Sequence, residues 1–164
     1  MNKQETYDYL NSRGIVYEAF EHPAVFTVEE ADALQLPYPE TNTKNLFLRD
    51  DKKRSYYLLT VREDCPVSLK AFQQQIGSRK LSFASEDDLQ DLLGLIRGSV
   101  TPLGLLNDAE RKVQFCLDSY FAGRRIAMHP NENTATIFMN ADDLLTLLRE
   151  HGSPVTLVDF PDQN

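Results

Sequence analysis

Cysteine occurs only twice, at Cys65 and Cys116, so no disulfide framework underlies this chain. Basic residues are in the minority: 17 lysines and arginines face 25 aspartates and glutamates, a formal charge of −8. That is the opposite of the broad basic footprint of tight, non-specific nucleic-acid binders, and it excludes a histone-like or repressor-like role. No apolar run approaches the ~18 residues of a membrane span, and the polar start Met1-Asn2-Lys3-Gln4-Glu5-Thr6 has no secretory h-region. A cytoplasmic protein with no membrane partner is expected. Neither G-x-x-x-x-G-K-[ST] nor G-x-G-x-x-G is present, which excludes phosphate loops of those kinds. The three histidines, His22, His129 and His151, are far apart and lack zinc-ligand spacing, so no metal is expected. No G-x-S-x-G elbow presents a serine nucleophile.

What is present suits one domain. A chain of 164 residues can bury ~70% of the surface its unfolded form exposes, and no repeat, low-complexity tract or flexible linker divides it, so residues 1–164 are expected to fold as a unit. Periodicity predicts a helix over Lys3–Arg13 with Tyr7, Leu10 and Tyr9 as inward candidates and Gly14 as its C-terminal cap, then a strand over Ile15–Phe20. Thr27-Val28-Glu29-Glu30 has the spacing of a capping box and opens a short helix to about Gln35. Lys44–Arg49 and Ser55–Val61 read as a hairpin, its second strand apolar on both faces and therefore central.

Ser68 caps a helix ending near Gly77, Lys80–Phe83 alternates as a short strand, and Ser85 opens a helix closed by Gly94. Strands are expected at Val113–Leu117, Arg125–Met128, Thr134–Met139 and Val155–Val158, with a helix over Asn140–His151; late strands in series suggest antiparallel pairing. Several connections are too short for crossover helices. The expected class is therefore α+β, a mixed, largely antiparallel sheet surrounded by helices.

Three segments combine residue types that carry chemistry. Period-two alternation puts Lys44 on the strand face of Leu46 and Leu48, where an ammonium recruits an anion; the same spacing fits a lysine at the strand start that reaches water. Gly98-Ser99-Val100-Thr101-Pro102-Leu103-Gly104 joins glycine freedom, two hydroxyls and a proline bend, which suits a rigid pocket wall offering backbone N–H groups to an ester carbonyl, or equally an ordinary connection. His129-Pro130-Asn131-Glu132-Asn133 places an imidazole and an amide at a sheet edge, or makes a turn with a solvated histidine. Both cysteines read as small buried hydrophobes.

Taken in order, Thr43-Lys44-Asn45-Leu46-Phe47-Leu48, Gly98 to Gly104 and His129-Pro130-Asn131 resemble the signature segments of the YbaK/ProX prolyl-tRNA editing superfamily. Glu21-His22-Pro23-Ala24-Val25-Phe26-Thr27 followed by Glu29-Glu30-Ala31 resembles its ProX branch. The resemblance implies a single α+β domain that works without metal or organic cofactor. It implies a free-standing deacylase acting in trans on tRNA(Pro) misacylated with alanine. Cys-tRNA(Pro), characteristic of the YbaK branch, is the rival substrate, and a catalytically silent domain that binds a synthetase or regulates proline metabolism is the rival of another class. By the same resemblance Lys44 is the essential site residue, Gly98, Ser99, Val100, Thr101 and Pro102 line the aminoacyl pocket, and Asn45 and His129 are its neighbours. The implied partners are the tRNA acceptor end, near the helix opened by Thr27, and prolyl-tRNA synthetase. With so few cations, contact with tRNA must rest on a local cluster drawn from Lys52-Lys53-Arg54, Arg79-Lys80, Arg111-Lys112 and Arg124-Arg125.

Overall fold

The computed structural model describes residues 1–160; residues 161–164, the tail of the expected domain, lie outside it. Helix α1 (Lys3–Ser12) starts at a reciprocal capping box between Asn2 and Glu5, and leads to strand β1 (Tyr17–Glu21). Helix α2 (Val28–Ala33) is capped by the Thr27 hydroxyl, which accepts from the Glu30 N–H at 3.1 Å. It stops short of Gln35, which turns left-handed at φ 50° just ahead of Pro37, a residue that disfavours helix before it. The hairpin follows, β2 (Thr43–Asp50) and β3 (Tyr56–Arg62), then α3 (Leu69–Ile76) and β4 (Leu81–Phe83).

Helix α4 (Glu86–Asp88) continues into a widened π turn over Leu89–Leu93, closed by left-handed Gly94. A 3₁₀ turn over Pro102–Asn107 leads to β5 (Val113–Asp118), β6 (Arg125–Met128), β7 (Ala135–Asn140), α5 (Ala141–His151) and β8 (Val155–Val158). Among the described residues no helix is long and apolar enough to cross a membrane.

The strands form two sheets, a three-stranded one in the order β1-β7-β6 and a five-stranded one in the order β4-β2-β3-β5-β8. The fold is α+β with mixed sheets flanked by helices, as the sequence led one to expect. Antiparallel pairing of the late strands holds for β6 with β7. It fails for β5 and β8, which pair in parallel, β5 with β3 and β8 with β5. The reason is length of connection: α3, β4 and α4 intervene between β3 and β5, and the β6–β7 hairpin and α5 between β5 and β8, so each chain segment can return in the same direction.

Strand β3 is buried on both faces, as its unbroken apolar run predicts. Leu58 enters the main core with Phe115, Leu117, Ile126, Ile137 and Leu144, which packs the two sheets and α5 together. Tyr57, Leu59 and Val61 enter a second core with Leu48, Leu81 and Phe72 of α3. Strand β2 alternates in the same way, so Phe47 reaches the main core and Leu48 the second.

Candidate active site

The start of β2, the end of β6 and the loop after the π turn meet at the seam between the two sheets. They enclose a cleft of about 680 Å³, lined by Lys44, Asn45, Phe47, Phe83, Gly98, Val100 and His129, among others. A second hollow of about 340 Å³ adjoins it across Thr43, Asn45 and His129 and extends beneath α2 to Ala31, Leu34 and Leu36. Two hydroxyls bind the seam. Thr43 Oγ1 donates to the Ala127 carbonyl at 3.0 Å, joining the large sheet to the small one, and Thr101 Oγ1 donates to the His129 carbonyl at 2.7 Å.

Lys44 is half-buried and pairs in register with Val61. It makes no ion pair within the described residues, so its ammonium is available to an anionic or carbonyl ligand in the cleft. Its neighbour Asn45 is held on two sides: its Oδ1 accepts from the Thr60 hydroxyl, and its Nδ2 donates to the Val100 carbonyl at 3.1 Å. Because the Val100 carbonyl only accepts, Nδ2 must be the end that faces it, which leaves Oδ1 to accept from the Thr60 hydroxyl. Asn45 thus ties the lysine-bearing strand to the opposite wall.

That wall is the loop at 98–102. Gly98 adopts φ 92°, a left-handed backbone that favours glycine, and a Cβ placed there would meet the Phe26 ring at an ordinary contact distance of 3.4 Å. The Gly98 and Val100 N–H groups donate to no other protein group among the described residues. Of the expected pocket residues, Gly98 and Val100 line the cleft, and Ser99, Thr101 and Pro102 do not. Ser99 is buried with its hydroxyl on the Ile96 carbonyl at 2.9 Å, and Thr101 and Pro102 are buried at the start of the 3₁₀ turn. They brace the wall from behind.

His129 lies on both hollows, and its Nδ1 is 2.8 Å from the Ala135 carbonyl. A carbonyl only accepts, so Nδ1 carries the proton and Nε2 is the lone-pair end of the neutral ring. Burial, helped by the nearby His22 and opposed by the Ala135 hydrogen bond, pushes the His129 pKa below its ordinary value and keeps the imidazole neutral. His22 sits 6.3 Å away between ring centres, with Nε2 against the Thr136 hydroxyl at 2.9 Å.

Both cysteines are buried, and burial raises both thiols, that of Cys116 to about 12, so neither supplies a thiolate near neutral pH. No group of three His, Cys, Asp or Glu among the described residues is arranged to hold a metal ion.

The family model of the aminoacyl-tRNA editing domain matches residues 22–147, which contain every segment of this cleft. The chain belongs to the aminoacyl-tRNA editing domain family. It is 39% identical over 159 residues to the prolyl-tRNA editing protein ProX of Acetoanaerobium sticklandii, covering 96% of this chain and 97% of that one. It is 37% identical over 156 residues to the prolyl-tRNA synthetase associated domain-containing protein 1 of Bos taurus, covering 92% and 91%. A crystal structure provisionally described as a trans-editing enzyme for prolyl-tRNA synthetase superposes with a TM-score of 0.72 at 22% identity, covering 99% of each chain. That likeness concerns the fold. Editing an aminoacyl-tRNA is hydrolysis of its ester bond, so this editing domain is an aminoacyl-tRNA deacylase, a hydrolase.

Sequence reasoning missed Thr60, the residue that orients Asn45, although it is the one small polar side chain in the run Tyr56–Val61 and could have been noticed as such. It also missed Phe26 against Gly98, and Phe83 and Arg97 at the cleft, for which no local pattern gives a signal.

Proposed function

We propose that the chain, acting as one editing domain in trans, hydrolyses the ester of tRNA(Pro) misacylated with alanine, releasing alanine and free tRNA. The observation that carries this reading is the convergence on one cleft of a lysine with no ion pair among the described residues, an amide-clamped wall and a neutral imidazole. Its volume lies within the ~300–1,000 Å³ range of small-molecule sites, larger than a lone amino acid needs and suited to an acylated terminal nucleoside.

In this reading Lys44 holds the phosphate of the terminal nucleotide or the ester carbonyl. In the same reading the Gly98 and Val100 N–H groups, which donate to no other protein group among the described residues, receive the developing oxyanion. Water attacks the carbonyl carbon, the tetrahedral intermediate collapses, and the ribose oxygen leaves with a proton. The aminoacyl ester is already activated, and the vicinal ribose hydroxyl of the substrate can orient or deprotonate that water, so no nucleophilic serine or thiol is needed. Selection for alanine follows from size. A synthetase shaped for proline rejects a smaller side chain weakly, at ~1–3 kcal/mol per methylene, and a second, tighter pocket walled by Val100 admits alanine and excludes proline.

The similarity to an enzyme named for prolyl-tRNA editing supports tRNA(Pro) as the carrier, and a prolyl-tRNA synthetase as the upstream partner. Single-turnover deacylation of Ala-, Cys-, Ser- and Pro-tRNA(Pro) tests the proposal. Fast loss of alanine with Pro-tRNA(Pro) spared is expected. Preferential cleavage of Cys-tRNA(Pro) would move the chain to the cysteine-editing class, and no turnover of any ester would leave a binding domain.

A further inference from the structure

The cleft opens onto an apolar shelf that hydrolysis itself does not use. Phe83 ends edge strand β4 opposite Leu48, and so lies on the same face of the large sheet as Lys44, Leu46 and Leu48. Leu48 and Leu81 on that face are buried with Phe72 of α3 in the second core, whereas Phe83 is 61% exposed while still lining the cleft. On the loop side Phe26, 68% exposed, packs at Gly98. Isolated exposed side chains need no explanation, but one bare aromatic ring lining the cleft and a second beside its Gly98 wall have a use in common.

The charges beside the shelf say what the use is. Lys44 stands four residues from Leu48 along β2, hence about 13 Å from the Phe83 position. Arg97 borders the same cleft, and its 3.6 Å ion pair with Glu86 is so exposed on both sides that it competes weakly with another anion. Ring faces alternating with cations over this distance match a single-stranded polynucleotide, whose bases stack and whose phosphates need neutralising. An apolar protein partner would make no use of Lys44 and Arg97. Resting on the deacylase reading above, we propose that Phe83 is a stacking platform for an unpaired base of the RNA 3′ end, one or more nucleotides upstream of the acylated one. Phe26 forms the facing side of the entrance. The shelf explains how an acidic protein holds a polyanion: through base faces more than through phosphate charge.

The test is binding of the RNA tetranucleotide ACCA carrying 2-aminopurine in place of its second or third base, whose fluorescence falls on stacking. Wild type is expected to quench it. Phe83→Ala, on an exposed ring and checked for native circular dichroism, should weaken binding about tenfold or more, and Phe83→Tyr should restore it. In deacylation of Ala-tRNA(Pro), Phe83→Ala should raise KM by a similar factor with kcat within twofold, and the loss should be several-fold smaller for alanyl-adenosine, which lacks the upstream bases; an equal loss on both substrates would show that Phe83 acts only on the terminal nucleoside. Equal oligonucleotide binding by wild type and Phe83→Ala overturns the proposal, as does loss of co-elution with prolyl-tRNA synthetase in a variant that still binds the RNA. A wild-type protein that quenches the oligonucleotide but cleaves no ester would refute the deacylase reading and leave the shelf standing.

Discussion

Replacing Thr60 with valine removes one hydroxyl from the centre of the large sheet and changes almost nothing in shape. Thr60 is fully buried on β3, and among the described residues its side-chain hydroxyl bonds to Asn45 Oδ1 alone. The substitution deletes a bond of net worth ~1 kcal/mol and leaves the Asn45 acceptor desolvated, a penalty of ~1–3 kcal/mol. A loss of about 2 kcal/mol is expected, which for a chain of this size lowers Tm by about 4–8 °C. The effect on function is separate. With Oδ1 unpartnered the amide can rotate, its Nδ2 leaves the Val100 carbonyl, and the tie across the cleft is released. Discrimination between alanyl and prolyl esters should then fall by roughly tenfold, the worth of about one methylene of fit. Thermal unfolding by circular dichroism and single-turnover deacylation of Ala- and Pro-tRNA(Pro) give both numbers, with Thr60→Ser expected to restore both. Destabilisation with unchanged acyl selectivity would show that Asn45 does not set the cleft width, and an unchanged Tm would show that the hydroxyl bond contributes nothing.

Lys44→Ala should preserve the fold and lower kcat/KM for Ala-tRNA(Pro) by a factor of ~10²–10³, typical of a lost electrostatic contact in the transition state; near-wild-type turnover would sink its assignment. Val100→Ala opens the wall, and hydrolysis of the prolyl ester should rise relative to the alanyl ester in the same assay. For His129 the folded pKa is depressed, so the unfolded chain binds its proton more readily; its contribution to stability is present above the unfolded value near ~6.5 and is lost as pH falls toward the folded one. Urea unfolding at pH 7.5 and pH 5 should therefore show a smaller acid-induced loss in His129→Gln than in wild type, provided the variant folds. Iodoacetamide under native conditions should modify neither Cys65 nor Cys116 and leave deacylation intact, and inactivation in step with alkylation would reopen a thiol mechanism.

Local pattern carried most elements because their ends are written in short-range chemistry. Ser68, Ser85 and Asn140 each accept a backbone N–H at a helix start, and Gly77, Gly94 and Gly152 each turn left-handed at an end. The partition into two sheets was not legible, since nothing near β5 in the sequence states that its neighbours are β3 and β8. At the cleft, Lys44, Asn45, Val100 and His129 were nameable in advance because they lie in distinctive segments. Ser99 and Thr101 could not be told from lining residues, because a hydroxyl that braces a loop and one that faces a ligand read alike until their partners at Ile96 and His129 are known. The basic clusters were mostly ordinary solvated charge: Arg79 pairs with Asp51, Lys112 with Glu110, and Arg124 lies over Tyr120.

The two threonine hydroxyls that bridge the seam have a consequence for how the enzyme fails. Lys44 lies on β2 of one sheet and His129 directly after β6 of the other, and their spacing is held by the Thr43–Ala127 bond between the sheets, the Thr101–His129 bond from the loop and the packed core between the sheets. A slight slip of one sheet against the other, with each keeping its own ladder of hydrogen bonds, is expected to cost less than unfolding the molecule. Turnover is thus a gauge of docking between two halves. In rising denaturant it should vanish while far-ultraviolet circular dichroism is still native, and it should return last when the chain refolds.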